Sequence, residues 1–71
     1  MKNLTYPIID PNTLTEEQRA VIREEYEFNA RCYAQFSANE SNLKCVKVAE
    51  WHKGRCDILE SLFGSDFFKG E

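Results

Sequence analysis

His52 and Cys56 stand four residues apart, a spacing that puts two side chains on one face of a helix. Both residue types can ligate zinc or carry nucleophilic chemistry. A structural zinc site needs four such ligands, so Cys32 and Cys45 would have to join them. Cys45 and Cys56 are eleven residues apart on what reads as one helix, roughly 16 Å at ~1.5 Å per residue. A zinc–sulfur bond is about 2.3 Å, so one ion cannot join both. Cys32 falls opposite Val48 and Ala49, a turn or more from the His52–Cys56 pair, and no CxxC spacing occurs. We therefore expect no metal and no cofactor. A Cys56–His52 nucleophile would also need an orienting group, oxyanion donors and a cleft. A helical chain of this length offers little concavity. The expectation is three free thiols and no enzymatic activity.

Asn29 and His52 pose a different question, because each sits at the centre of an otherwise apolar helical stripe. A buried polar side chain must find a hydrogen bond or cost about 1–3 kcal/mol. A mutual bond would satisfy both and fix the register of two helices, as a buried Asn does in coiled coils. The competing expectation is that backbone groups of the N-terminal arm satisfy each one separately.

Aromatic residues at Tyr26, Tyr33, Phe36, Trp51, Phe63, Phe67 and Phe68 could stack nucleic-acid bases. Such platforms interleave Lys and Arg, whereas these aromatics recur at helical spacing, which assigns them to a core or a protein interface. Lys44, Lys47, Lys53 and Arg55 make a basic edge, but Glu50 and Asp57 interrupt it. Twelve acidic against nine basic residues, a net charge of −3, also argue against phosphate binding. Phosphate-binding glycine loops and catalytic serine motifs are absent from the sequence.

The elements that must position these residues are two helices. Residues 1–14 read as an extended arm, since Pro7 and Pro11 push Tyr6 and Asp10 away from helical angles and Asp10-Pro11-Asn12-Thr13 is turn chemistry. Leu4, Tyr6, Ile8 and Ile9 are apolar enough that the arm should lie on the helices. Helix one spans 15–37. Thr15-Glu16-Glu17-Gln18 fits a capping box, and the two acids suit the positive end of the helix dipole. At ~100° per residue, Ile22, Tyr26, Asn29, Tyr33 and Phe36 form its main stripe, widened on one side by Val21, Phe28 and Cys32. Residues 37–42 make a short polar connection, in which Ser41 or Asn39 could cap the second helix. Helix two spans 42–63, with the stripe Cys45, Val48, Ala49, His52, Cys56, Leu59 and Phe63. Trp51, Ile58 and Leu62 form a second apolar shoulder, Gly54 falls mid-helix, and Gly64 offers a stop. Residues 64–71 form a short aromatic tail whose Phe67 and Phe68 should fold back for cover.

An antiparallel hairpin with its loop near residue 40 pairs residues whose numbers sum to about 80. Phe36 then meets Cys45, Tyr33 meets Val48, Asn29 meets His52, Tyr26 meets Cys56, and Ile22 meets Leu59. Two independent stripes agree over five layers, which is the strongest sign of an all-α antiparallel two-helix hairpin.

Hydrophobic residues at 42% and aromatics at 13% exclude a disordered chain. Seventy-one residues make one domain, and a domain this small is marginal without a staple or a partner. Helix one is apolar around about half its circumference, more than one neighbour covers. Val21 and Phe28 with Trp51, Ile58 and Leu62 are therefore the candidate interface, and the expected partner is a second copy completing a four-helix bundle. The expected function is a small non-catalytic interaction module that self-associates or docks on a larger protein. The alternative is a regulatory or weak nucleic-acid-binding protein using the Lys44–Arg55 edge. In style the chain resembles short accessory reading frames of phages and mobile elements, with no motif behind the resemblance. No export signal or apolar run of membrane-spanning length occurs, so a cytoplasmic location and no membrane contact are expected.

Overall fold

Thr15 starts the first helix by reciprocal bonding. Its hydroxyl accepts the Gln18 N–H at 3.0 Å, while the Gln18 side chain accepts the Thr15 N–H at 2.9 Å. These bonds complete the capping box and satisfy amides that no helical carbonyl can reach. The computed structural model describes residues 8–69, of which 82% are helical and none lies in a strand. Helix α1 runs Glu16–Ser37, α2 Leu43–Phe63 and α3 Ser65–Lys69. The two long helices pack against each other as an antiparallel hairpin. Leu4, Tyr6 and the rest of the arm over residues 1–7, with Gly70 and Glu71 of the tail, lie outside the described residues.

Neither Ser41 nor Asn39 caps α2. Asn42 does, with extended backbone angles (φ −103°, ψ 109°) and its side-chain oxygen accepting from the Lys44 and Cys45 amides. It is the residue immediately before the first helical turn, where that oxygen reaches two orphan amides. Asn39 instead ties the loop together, accepting from the Ser41 hydroxyl at 3.3 Å and donating to Cys45 Sγ at 3.8 Å.

Gly64 ends α2 with φ 88° and ψ 141°, a conformation that side chains rarely adopt and glycine adopts freely. The chain turns there, and the tail becomes the single helical turn α3. Arg23 holds it to α1, donating from Nε to the Phe67 carbonyl at 3.3 Å with its guanidinium 4.4 Å over the Phe67 ring. Phe68 stacks on Tyr26 with ring centroids 4.1 Å apart, and Phe67 packs on Phe63 at 5.8 Å.

At the same end the arm makes a 3-10 turn at Pro11–Thr13, capped by the Asp10 side chain. Arg19 ties that turn to α1 through the Leu14 and Pro11 carbonyls, at 2.7 and 3.3 Å. The Ile9 N–H reaches the Leu62 carbonyl at 2.8 Å. The buried apolar residues, Ala49, Cys56, Phe63 and Phe67, run from α2 toward the open end of the hairpin.

The loop end is thin. Tyr33 and Val48, expected to bury each other in one layer, are both 37% exposed, because the arm and α3 cover the opposite end. Across the described residues the molecule measures 17 Å along its shortest axis, about one and a half helix diameters of about 10–12 Å. Each long helix therefore has one long-helix neighbour and two flanks. Gly54 breaks nothing: α2 is continuous through it, and an added Cβ would meet nothing within 4 Å.

Candidate functional site

Asn29 and His52 meet across the two long helices. Asn29 is 1% exposed, and its Oδ1 lies 2.7 Å from His52 Nδ1. The Asn29 amide group is committed as a donor, from Nδ2 to the Glu25 carbonyl at 2.8 Å and to Glu25 Oε2 at 3.0 Å. An amide oxygen cannot donate, so His52 must carry its proton on Nδ1. Three rings surround the imidazole: Phe36 parallel at 6.2 Å, Phe28 edge-on at 6.1 Å and Trp51 edge-on at 4.8 Å.

The layer continues outward. Glu25 Oε2 also accepts from Arg55 Nη2 at 2.9 Å, so a chain of polar groups runs Arg55–Glu25–Asn29–His52 from the surface to the core. The Arg55 guanidinium, then the Asn29 amide, holds the Glu25 carboxyl below the usual carboxylate range. Glu25 and Arg55 are the pair that reading the stripes missed. The signal was present, since 25 and 55 sum to 80 and Glu25 lies one helical turn before Asn29.

Cys56 and His52 share a helix face but bond different partners on α1. The Cys56 thiol donates to the Tyr26 carbonyl at 3.7 Å, while His52 Nδ1 serves Asn29. Burial, reinforced by the charges of Glu60 and Asp57, pushes the Cys56 thiol up and away from the reactive thiolate. Cys32 and Cys45 are only half-buried. Alkylation of the folded protein should therefore modify Cys32 and Cys45 well before Cys56, read by mass spectrometry of peptides. Equal rates at all three would mean that the open end unfolds as readily as the loop end. Among the described residues no three His, Cys, Asp or Glu side chains group as a metal site.

Tyr26 closes the other flank, donating its hydroxyl to Glu60 Oε2 at 2.6 Å. That bond, then burial and the Glu60 charge, pushes the phenol up to about 12. An unfolded tyrosine ionises near pH 10 (~10), so the stabilisation is complete below that pH and lost as pH rises through the folded value. Ultraviolet titration should show one tyrosine ionising near 12 that disappears in Tyr26→Phe, a variant destabilised by about 1 kcal/mol at neutral pH. If every tyrosine ionises near 10 (~10) in the folded protein, the Tyr26–Glu60 bond is absent.

The two flanks differ in what covers them. On one, Arg19, Arg23 and Tyr26 hold the arm and α3. On the other, Val21 and Phe28 of α1 and Trp51 and Ile58 of α2 are each 51–63% exposed. Helical projection puts these four on the same side as Glu25 and Arg55. Leu62, expected to belong with them, is only half-buried, and its carbonyl bonds Ile9. A groove of about 470 Å³ lined by Leu14, Gln18, Val21 and Ile22 adjoins the Val21 end. The basic edge is partly neutralised, with Arg55 on Glu25 and Lys53 3.5 Å from Asp57.

The fold and this exposed flank define an all-helical hairpin. Compared with models of protein families, with curated proteins and with solved structures, the chain shows no match. No helix among the described residues is long and apolar enough to cross a membrane.

Proposed function

We propose that the chain is a non-catalytic protein–protein interaction module that self-associates, two hairpins joining their exposed flanks into a four-helix bundle. One observation carries this reading: α3 covers the Tyr26 flank, while Val21, Phe28, Trp51 and Ile58 stay more than half exposed on the other. Scattered apolar side chains on a monomer need no explanation, but four on one side of two adjacent helices do. A slab 17 Å thick gains a second helical layer by pairing, and burial at ~25 cal/mol per Å² matters greatly to a domain of this size.

Catalysis has little support in the site. His52 commits its Nδ1 and Cys56 its thiol to partners on α1, and burial pushes the Cys56 thiol up. Nucleic-acid binding through the Lys44–Arg55 edge is weakened by the pairing of Arg55 and Lys53 with acids. Three free thiols fit a reducing compartment, so the reading includes a cytoplasmic location.

Light scattering at tens of micromolar tests it. The expected mass is twice the 8.3 kDa of one chain, falling to a single chain in Trp51→Glu and Ile58→Glu. A clean monomer for the wild type at high micromolar concentration ends this reading.

A further inference from the structure

Glu25 and Arg55 lie in the middle of the exposed flank, with Phe28 and Trp51 toward the loop and Val21 and Ile58 toward the open end. Their levels follow from the hairpin register, because Glu25 bonds Arg55 across the helices, and Phe28 and Trp51 both pack on His52. The flank is thus three tiers, aromatic, charged and aliphatic, with one member of each on each helix. The charged tier is only half covered, since the Glu25 and Arg55 side chains are 46% and 44% exposed. Glu25 Oε2 takes both the Arg55 and the Asn29 bonds, and among the described residues none reaches Oε1.

Two hairpins placed face to face by a two-fold axis have two simple arrangements, since such an axis must lie in the plane of the contact. With the axis perpendicular to the helices, α1 lies on α1 of the other copy and the tiers invert. Glu25 then meets Glu25 and Arg55 meets Arg55, while aromatic residues face aliphatic ones. Juxtaposed like charges strongly disfavour such a contact. With the axis parallel to the helices, α1 lies on α2 of the other copy and each tier meets its own kind.

We infer that the partner is a second copy docked about an axis parallel to the helices, with Glu25 of each copy bound to Arg55 of both. This rests on the self-association proposed above and assigns its geometry. Each carboxylate then accepts two guanidinium groups, filling the free Oε1, and each guanidinium serves two carboxylates. That mutual satisfaction is what a charge needs before it can be buried in a contact. Phe28 packs on Trp51 of the other copy, and Val21 on Ile58.

The two arrangements differ in the sign of the charge effects, which sedimentation equilibrium can read. With the axis parallel, Arg55→Gln weakens the dimer several-fold. Arg55→Glu and Glu25→Arg each weaken it tenfold or more, because like charges now meet across the interface. An equimolar mixture of these two single variants then forms a heterodimer near wild-type affinity, and added salt weakens the wild-type dimer. Circular dichroism of each variant reports whether the hairpin itself is intact, and recovery in the mixture excludes misfolding as the cause of weakening. A wild-type dimer that tightens in Arg55→Gln or with salt overturns the inference and leaves self-association standing. So does a dimer that ignores all three substitutions. A wild type that stays monomeric removes both.

Discussion

Asn29→Ala is expected to lower the unfolding free energy by about 2–4 kcal/mol, the sum of an orphaned hydrogen-bond donor and a small cavity. Asn29 is the most deeply buried polar side chain described, and it is the only link between His52 and Glu25. Alanine leaves His52 Nδ1–H facing apolar rings with no acceptor, and that alone costs about 1–3 kcal/mol. It also frees Glu25 to swing away from the core, so Arg55 keeps a partner but loses its fixed position. At ~0.05–0.15 kcal/mol per residue a chain of this length has only about 4–10 kcal/mol to lose. The midpoint of thermal unfolding should fall by about 4–8 °C for each kcal/mol.

Replacing both partners separates specificity from stability. Asn29→Leu with His52→Leu leaves no unsatisfied group and should recover much of the loss, since removing both ends of a buried hydrogen bond can be nearly neutral. The same double variant should loosen register or oligomeric uniformity, as polar layers specify more than they stabilise. A double-mutant cycle with alanine at both sites gives the coupling directly, expected at about 1–2 kcal/mol. Stability of Asn29→Ala within about 0.5 kcal/mol of wild type, the range of ordinary surface changes, would show that the layer is wet.

Trp51→Glu is expected to weaken association at least 100-fold, about 2.7 kcal/mol, with little change in helicity. Within one chain, Trp51 is 59% exposed, with its ring T-shaped to His52 at 4.8 Å and the Arg55 guanidinium 5.0 Å from its ring. Its removal therefore costs the hairpin little. In a pairing of exposed flanks it lies at the aromatic tier, where large rings account for most of the contact energy. A glutamate there buries an unpaired charge, which adds to the loss of area. Ile58→Glu should act in the same direction by a smaller factor, because an isoleucine buries less surface than a tryptophan. If both variants associate as tightly as wild type, the partner surface lies elsewhere, the exposed Leu43 at the loop end being the next candidate.

Local chemistry and periodicity determined much of this molecule. Thr15 and Gln18 cap α1 through contacts three residues apart, and Gly64 stops α2 by its own backbone freedom. Such signals act within one turn, so they are legible without knowing the rest of the chain. The register was legible as well, because a short loop leaves two stripes one antiparallel alignment, and that alignment brings Asn29 to His52 and Tyr26 to Cys56. What the stripes could not decide was which flank the ends of the chain would cover. Both flanks carry apolar residues, and helical projection treats them alike. The choice depends on contacts between residues far apart in sequence, Arg23 with Phe67 and Tyr26 with Phe68. Those contacts form only once the chain has turned at Gly64. The same long-range geometry left Tyr33 and Val48 half open at the loop end and drew Leu62 away from the exposed set. It also set Arg55 on Glu25 in the middle of the uncovered flank, because each side chain is long enough to cross between helices only after the backbones have packed.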